Sequence, residues 1–211
     1  MISGAWYDLD MAEYWVPSGI GVSEHVDRKS RFLGEARAVA DPNEARRRVK
    51  ELKEEHSGAR HVAWAHVIGS SGALLGLSDD GEPHGTAGRP ILDPIVGAGL
   101  TNTLVTVVRY FGGVKLGTGG LVSAYGRSAR EALEAMPRRK LIPMSDAAFE
   151  VVYSDYEPVV RLVRGFDGEL LKEEFAASVS LEVRLPSASL DAFSKQLSDL
   201  TRGAVHLRGS D

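Results

Sequence analysis

Residues 103–121 read TLVTVVRYFGGVKLGTGGL, a valine-rich run that leads into a glycine-rich turn. β-Branched residues pack well in strands, so the run predicts a strand over 103–110 that ends at Gly112 and Gly113. Beyond the glycines, apolar residues recur at helical spacing and predict a helix to about residue 136. Its predicted buried stripe consists of Leu121, Tyr125, Ala132 and Met136. A strand, a glycine-rich turn and a helix therefore form the centre of the predicted fold.

On the N-terminal side of this centre, alternation and capping signals predict more strands and helices. Asp41-Pro42-Asn43-Glu44 supplies an N-cap, a proline at the first helical position and a carboxylate at the third, so a helix begins there and ends near Gly58. The other predicted elements are strands at about 19–26, 30–40, 60–68 and 73–77 and a short helix around 90–98. Residues 1–18 are interpreted as an extension docked on the surface through Trp6, Tyr7, Tyr14 and Trp15.

On the C-terminal side, Pro137, the basic residues of 138–140 and Pro143 predict a linker over residues 138–145. Beyond it, Ser154 with Glu157 predicts a second capping box, and Gly165 is expected to end that helix. The predicted elements are strand 148–153, helix 155–164, strands 168–175 and 177–185, helix 187–200 and strand 203–208. Strand-helix-strand repeated once is the ferredoxin-like βαββαβ plan, which predicts a compact second domain over 146–211.

Composition and charge exclude several classes of protein. The 211 residues are 43% hydrophobic and 26% charged, as in globular proteins, and there is no cysteine, so thiolate catalysis and thiolate metal sites are excluded. No apolar stretch is long enough to span a bilayer, and the first ten residues carry acids where a signal peptide carries basic residues. We therefore expect a cytoplasmic protein with no membrane partner.

The charge is unevenly distributed along the chain. The net charge is −4, but residues 106–140 contain seven Lys and Arg against two acidic residues, and residues 141–211 contain seven against twelve. A concentrated basic stretch beside a glycine-rich turn favours recognition of an anion, whereas the acidic last third argues against a continuous track for a polyanion.

The glycine-rich turn is the first candidate site. Glycines let backbone N–H groups approach an anion, and the start of a helix adds unpaired donors and partial positive charge. The turn lacks the lysine and hydroxyl of a P-loop, and Val122 stands where a dinucleotide fingerprint has its third glycine. Tight backbone geometry alone is the competing explanation. The candidate anion or RNA ligands are Arg109, Gly112, Gly113, Lys115, Gly117, Thr118, Gly119 and Gly120.

The second candidate is the acidic loop SDDGEPHGTAG at 78–88. Asp79, Asp80 and Glu82 have the oxygens that Mg²⁺ or Ca²⁺ prefers, and His84 would add a transition-metal ligand, but Pro83 interrupts the calcium-loop pattern. An ordinary turn and ion pairs to Arg89 or Arg109 are the alternatives, and we favour these over a metal. We expect no metal site, no cofactor and no catalytic residue. His56, His61 and His66 are interpreted as structural, and Ser123 lacks the spacing of a nucleophile elbow.

Three segments together identify a resemblance. In order and spacing, SDDGEPHGTAGRP (78–90), VVRYFGG (107–113) and LGTGGLV (116–122) resemble the IMPACT/YigZ family, and Lys29-Ser30-Arg31-Phe32 matches that family's opening pattern. The resemblance covers about residues 28–136. It implies an α+β protein with an N-terminal ribosomal-protein/GHMP-kinase-like α/β sandwich at 19–137 and a C-terminal ferredoxin-like domain related to those of elongation factor G. It also implies a motif surface that contains Asp79, Asp80, Glu82, Thr86 and Arg89.

The functional hypothesis combines the resemblance with the residues. The family's eukaryotic members regulate translation during amino-acid starvation, while its bacterial members lack that kinase pathway and are proposed to bind nucleic acid or the ribosome. His84 and Ser123 depart from the residues usual in the family, and Ser123 removes a cation. We expect a non-catalytic cytoplasmic protein linked to translation, which engages RNA phosphate or a ribosome-associated partner. The alternative is a divalent-metal-dependent enzyme that acts on a small phosphorylated ligand.

Overall fold

The computed structural model describes residues 14–69, 72, 74–205 and 207. Trp6 and Tyr7, two of the aromatic residues predicted to dock the N-terminal extension, lie outside these residues. The chain divides into two compact units, one containing Tyr14–Leu141 and the other Ile142–Asp211. Both units combine helices with sheets, so the chain is a two-domain α+β protein.

The N-terminal unit is built on one five-stranded antiparallel sheet with the strand order β2-β3-β6-β4-β5. The valine-rich strand lies at its centre, and all of that strand except Tyr110 is buried. A separate antiparallel pair is formed by β1 and β7. The elements are β1 (Tyr14–Pro17), β2 (Gly21–Asp27), β3 (Ser30–Ala38), α1 (Pro42–Glu55), β4 (His61–Ile68), β5 (Leu74–Ser78), α2 (Gly88–Gly97), β6 (Thr103–Tyr110), α3 (Gly117–Ala135) and β7 (Arg138–Leu141).

Helices cover both faces of this sheet. Helices α2 and α3 pack on one face, where Phe32, Ile91, Val107 and Tyr125 belong to the largest cluster of buried residues. Helix α1 packs on the other face through smaller clusters. The α1 cap is confirmed, because Asp41 Oδ1 accepts the N–H groups of Asn43 and Glu44 at 2.6 and 2.9 Å. An α/β sandwich therefore holds the ends of β4 and β6 in place.

Two N-terminal predictions need correction. Helix α3 begins at Gly117, inside the glycine-rich segment, rather than after it. Residues 138–145 are not simply a linker, because Arg138–Leu141 form β7, which pairs with β1 from Tyr14↔Leu141 to Pro17↔Arg138. The Arg138 guanidinium lies 5.2 Å from the Trp15 ring, so a cation–π contact supports this pairing. The described end of the predicted N-terminal extension is therefore a strand.

The C-terminal unit has a three-stranded antiparallel sheet of order β8-β10-β9 with two helices. Its elements are β8 (Met144–Val151), α4 (Tyr153–Gly165), β9 (Glu169–Phe175), β10 (Val179–Pro186), a 3₁₀ turn at Ser187–Ser189 and α5 (Leu190–Leu200). Phe149, Val163, Leu181 and Phe193 lie in its core. This order and the antiparallel pairing agree with the first five elements of the ferredoxin-like plan.

The structure also corrects three details of the C-terminal predictions. Helix α4 begins at Tyr153 without a side-chain cap, so the capping box of Ser154 and Glu157 is wrong. Helix α5 begins at Leu190 because residues 187–189 form the 3₁₀ turn. Of the strand predicted at 203–208, residues 203–205 are not strand, and most of the rest lies outside the described residues. Among the described helices, none is long and apolar enough to cross a membrane.

Candidate functional site

A pocket of about 360 Å³ lies where β6, the start of β4, the acidic loop and the start of α3 meet. The antiparallel pairing of β4 with β6 places His61 opposite Arg109 and so brings the two strand ends together. The lining residues are Arg60, His61, Glu82, Pro83, Arg109, Phe111, Lys115, Leu116, Gly117, Thr118 and Leu121. Five of these are among the residues predicted from sequence: Glu82, Arg109, Lys115, Gly117 and Thr118.

The glycines of the turn serve different purposes. A Cβ on Gly112 would lie 2.0 Å from the backbone carbonyl carbon of Lys29, so this position requires glycine for packing. Gly113 and Gly117 have φ values of 84° and 75°, which favour glycine. Gly120 is tight against Leu116 Cβ at 3.0 Å, whereas Gly119 has nothing within 4 Å and a φ open to other residues. Backbone geometry therefore explains most of these glycines but not Gly119.

The start of α3 is an open array of donors beside a free cation. The first N–H groups of the helix, at Gly117, Thr118 and Gly119, have no intrahelical acceptor because they lie in its first turn, and no side chain of the described residues caps them. Lys115 is exposed and forms no hydrogen bond or ion pair within the described residues. These groups can bind an anion without breaking an existing interaction.

Arg109 is not the free anion ligand that the sequence predicted. Its Nη1 donates to Glu82 Oε1 at 2.6 Å, and its side chain is 6% exposed, so its charge is balanced by a buried carboxylate. The guanidinium also lies 5.6 Å from the rings of both Phe32 and Phe111. Its Nε is buried and has no hydrogen-bond partner among the described residues. Arg109 therefore holds the acidic loop to β6 and leaves one buried donor unused.

Glu82 connects three elements of the N-terminal unit. Besides Arg109, it binds Tyr125, whose hydroxyl donates to Glu82 Oε1 at 2.8 Å. Burial and the nearby Glu82 charge raise the pKa of Tyr125, so the hydroxyl remains protonated and acts as a donor. The loop, β6 and α3 are thus joined through one carboxylate.

Asp79 acts as a cap for α2. Its Oδ1 accepts the N–H groups of Ala87 and Gly88 at 2.9 and 2.8 Å, and its Oδ2 accepts that of Gly85 at 2.8 Å. Burial tends to raise the pKa of Asp79, but these backbone hydrogen bonds outweigh it and the pKa is lowered. Nearby Thr86 is buried, and its hydroxyl donates to the Pro83 carbonyl at 2.6 Å. Asp79 is therefore a structural residue of the loop.

Asp80 fixes the loop to the start of β4. Its Oδ1 pairs with Lys53 Nζ at 2.5 Å, its Oδ2 accepts the Val62 N–H at 2.7 Å, and its carbonyl lies 2.7 Å from His61 Nδ1. Of the ion pairs expected between the acidic loop and Arg89 or Arg109, only Glu82–Arg109 forms, because Arg89 pairs instead with Asp93 one helical turn away. His84 is exposed, and its Nδ1 lies 3.8 Å from Asp79 Oδ2.

All three carboxylates of the loop are occupied by protein partners. Within the described part of the chain, no group of three or more His, Asp or Glu side chains is arranged to hold a metal ion. The acidic loop thus positions α2, β4 and β6 around the pocket through its three carboxylates.

Arg60, His61 and Phe111 line the pocket although the sequence did not predict them as parts of the site. His56 and His66 are structural as expected: His56 Nδ1 lies 2.8 Å from Tyr110 Oη, and His66 is buried and stacks on Trp64. His61, in contrast, lines the pocket. Arg60 lies over the Phe111 ring at 5.4 Å and forms no ion pair within the described residues. Only the pairing of β4 with β6, which sequence spacing does not reveal, brings these residues together.

Comparisons with known proteins agree with this architecture. The Impact N-terminal domain matches residues 28–133, and a domain of unknown function, DUF1949, matches residues 149–204. The chain is 36% identical over 200 residues to the IMPACT family member YigZ of Escherichia coli, covering 93% of this chain and 98% of that protein. It is 42% identical over 183 residues to an IMPACT family member of Thermus thermophilus, covering 86% and 99%. A crystal structure of a hypothetical protein aligns with a TM-score of 0.64 and 34% identity, covering 95% and 98%.

Proposed function

Because the chain belongs to the IMPACT family, we propose that it is a non-catalytic cytoplasmic protein linked to translation, which binds phosphate groups of RNA in the pocket beside the glycine-rich turn. One observation carries this proposal. Two cations without acidic partners in the described residues, Arg60 and Lys115, line the same pocket as the uncapped start of α3. Cations and backbone donors at a helix N-terminus are the groups that bind phosphate in proteins.

Binding is favoured over metal-dependent catalysis because of the positions of the acids. A divalent ion that bridges protein and phosphate needs free carboxylate oxygens. Both oxygens of Asp79 accept backbone N–H groups, and those of Asp80 bind Lys53 and the Val62 N–H. Glu82 Oε1 accepts from Arg109 and Tyr125, so among the described residues only Glu82 Oε2 is left, which is too few oxygens for a divalent ion. The carboxylates that the enzyme hypothesis requires thus already stabilise the fold, and we retain the binding function.

The test is an RNA titration with Lys115→Ala. Removing one charged phosphate contact should weaken binding of a short single-stranded RNA by about tenfold or more. It should also reduce the dependence of log K on log salt by about 0.7, the contribution of one phosphate on a single strand. Because Lys115 is exposed, its replacement should change the free energy of unfolding by less than about 0.5 kcal/mol.

Arg89→Ala is the matched control. It removes the same charge from an exposed arginine that pairs with Asp93 and does not line the pocket, so it should leave RNA affinity nearly unchanged. Equal effects of the two variants would mean that only net charge matters, which contradicts a site in the pocket. If the protein does not bind RNA at low salt, the RNA proposal is wrong and a ribosome-associated protein becomes the partner to search for.

A further inference from the structure

We infer, building on the proposed function, that the pocket takes a terminal nucleotide, with its phosphomonoester at the start of α3 and its base against Phe111. An internal segment of RNA offers only phosphodiesters. Three features of the pocket support this ligand: its charge, which distinguishes the two kinds of phosphate, its unused donors and its apolar wall.

The charge of the pocket matches a dianion. Apart from His61, the charged residues that line the pocket are three cations and one anion. They are Arg60, Arg109, Lys115 and Glu82. Glu82 and Arg109 balance each other as a buried pair, so two positive charges remain uncompensated. A phosphomonoester carries about −1.5 to −2 at neutral pH because its second pKa is about 6, whereas a phosphodiester carries −1. The pocket therefore favours the terminal group.

The donors of the pocket are unused, and one of them is deeply buried. Within the part of the chain that the structure describes, the start of α3 has no capping side chain. Independently, Arg109 lines the pocket and is 5% exposed, and its Nε has no hydrogen-bond partner. Buried N–H groups without acceptors are rare in folded proteins because each costs about 1–3 kcal/mol. The three non-bridging oxygens of a phosphomonoester can serve several of the donors at the start of α3 together, while the Nε of Arg109 would find an acceptor only after a shift of that side chain.

The wall of the pocket suits a base. Phe111 is 41% exposed, and Pro83, Leu116 and Leu121 extend the apolar surface. Arg60 already lies over the Phe111 ring at 5.4 Å, and planar bases stack on both phenyl rings and guanidinium groups. At about 360 Å³ the pocket lies near the lower end of ligand-site volumes, so it fits one nucleotide rather than several.

The experiment compares ligands that differ only at their ends. The same short single-stranded RNA is titrated with a 5′-phosphate, with a 3′-phosphate and with hydroxyls at both ends. We expect one phosphorylated end to raise affinity about tenfold over the hydroxyl form, and we expect Lys115→Ala or Phe111→Leu to remove that difference while Arg89→Ala retains it. Thermal melts of each variant confirm that it is folded.

Competition then distinguishes the source of the terminal nucleotide. Free nucleoside monophosphates that compete as well as the phosphorylated RNA would identify a small nucleotide as the ligand, and weaker competition would identify an RNA end. Inorganic phosphate that competes equally well would overturn the role of the base. Equal affinity for phosphorylated and hydroxyl RNA would overturn the inference but leave the proposed RNA binding intact. Absence of binding to any RNA or nucleotide would overturn both.

Discussion

At the scale of single residues, a substitution at Gly119 distinguishes a role of the glycine-rich turn in ligand binding from a role in backbone geometry alone. It lies in the first turn of α3, an added Cβ would meet no atom within 4 Å, and its φ does not require glycine. Alanine is the better helix former, so Gly119→Ala should leave the free energy of unfolding unchanged or raise it by about 0.5–1 kcal/mol. If the phosphate binds across the first turn of α3 as proposed, the added methyl group would crowd the ligand beside the Gly119 N–H.

The expected result for Gly119→Ala is therefore a stable protein with weaker RNA affinity, measured by chemical denaturation and by fluorescence anisotropy. Gly112→Ala is the contrasting variant. Its Cβ would collide with the backbone of Lys29, so it should destabilise the protein by about 1–3 kcal/mol. Unchanged RNA affinity in Gly119→Ala would show that the start of α3 does not contact the ligand.

At the scale of elements, the Glu82 carboxylate holds the acidic loop, β6 and α3 together. Glu82→Ala would leave the Arg109 charge buried without its partner, so it should lower the free energy of unfolding by about 3–5 kcal/mol. Tyr125→Phe removes only one hydrogen bond to the carboxylate and should cost about 1–3 kcal/mol. Urea denaturation measures both. A loss below about 1 kcal/mol in Glu82→Ala would contradict this structural role.

The elements show how far the sequence predicts the fold. Strand β6 spans the predicted residues 103–110, and the α1 cap forms at Asp41, because alternation and capping are local properties. The start of α3 was missed because glycine has low helix propensity, yet the helix begins at Gly117, whose φ of 75° turns the chain into it. The capping box predicted at Ser154 fails because α4 begins at Tyr153, two residues earlier than predicted, which places Val152 at the N-cap position.

The candidate site was only partly predictable for a different reason. Lys115 and the glycines were identified from one continuous segment. Arg109 was assigned to the ligand for its charge although an ion pair with the acidic loop was also expected, because its partner Glu82 lies 27 residues earlier and spacing alone does not choose between the two roles. Arg60 enters the site only through the antiparallel pairing of β4 with β6. Pairings between residues far apart in the chain determine which charged side chains lack a partner. These pairings cannot be read from the local patterns of one sequence.

At the scale of the whole molecule, acid should destabilise the fold in two stages. Burial lowers the pKa of His66 and of His25, helped by Arg46 and Arg127 respectively. At Glu35, burial tends to raise the pKa, but the hydrogen bonds and the charge of Arg48 outweigh burial, so the pKa is lowered. At Asp79, the backbone hydrogen bonds outweigh burial in the same way and lower the pKa. In each case the unfolded chain binds protons more readily than the folded chain.

The sign of the pH effect follows from these lowered pKa values. Stability is fully present above the unfolded pKa of each group and is lost as the pH falls towards the folded pKa. We expect a first loss below about pH 6.5 from the histidines and a second below about pH 4.5 from the carboxylates. Urea midpoints measured from pH 7.5 to 3.5 test this. His66→Gln should reduce the first loss, whereas the same change at the exposed His84 should not. A first loss that His66→Gln leaves unaltered would contradict the role of that buried ring.

The central claim is that a phosphate of RNA binds at the start of α3, and backbone ¹H–¹⁵N chemical shifts test it most directly. A short single-stranded RNA with a 5′-phosphate would be titrated into the ¹⁵N-labelled full chain at low salt. The account predicts the largest shift changes at the amides of Gly117, Thr118 and Gly119, with smaller changes at Arg60 and Phe111. Changes confined to β8–β10, or no changes at the start of α3 when the RNA is bound, would contradict it.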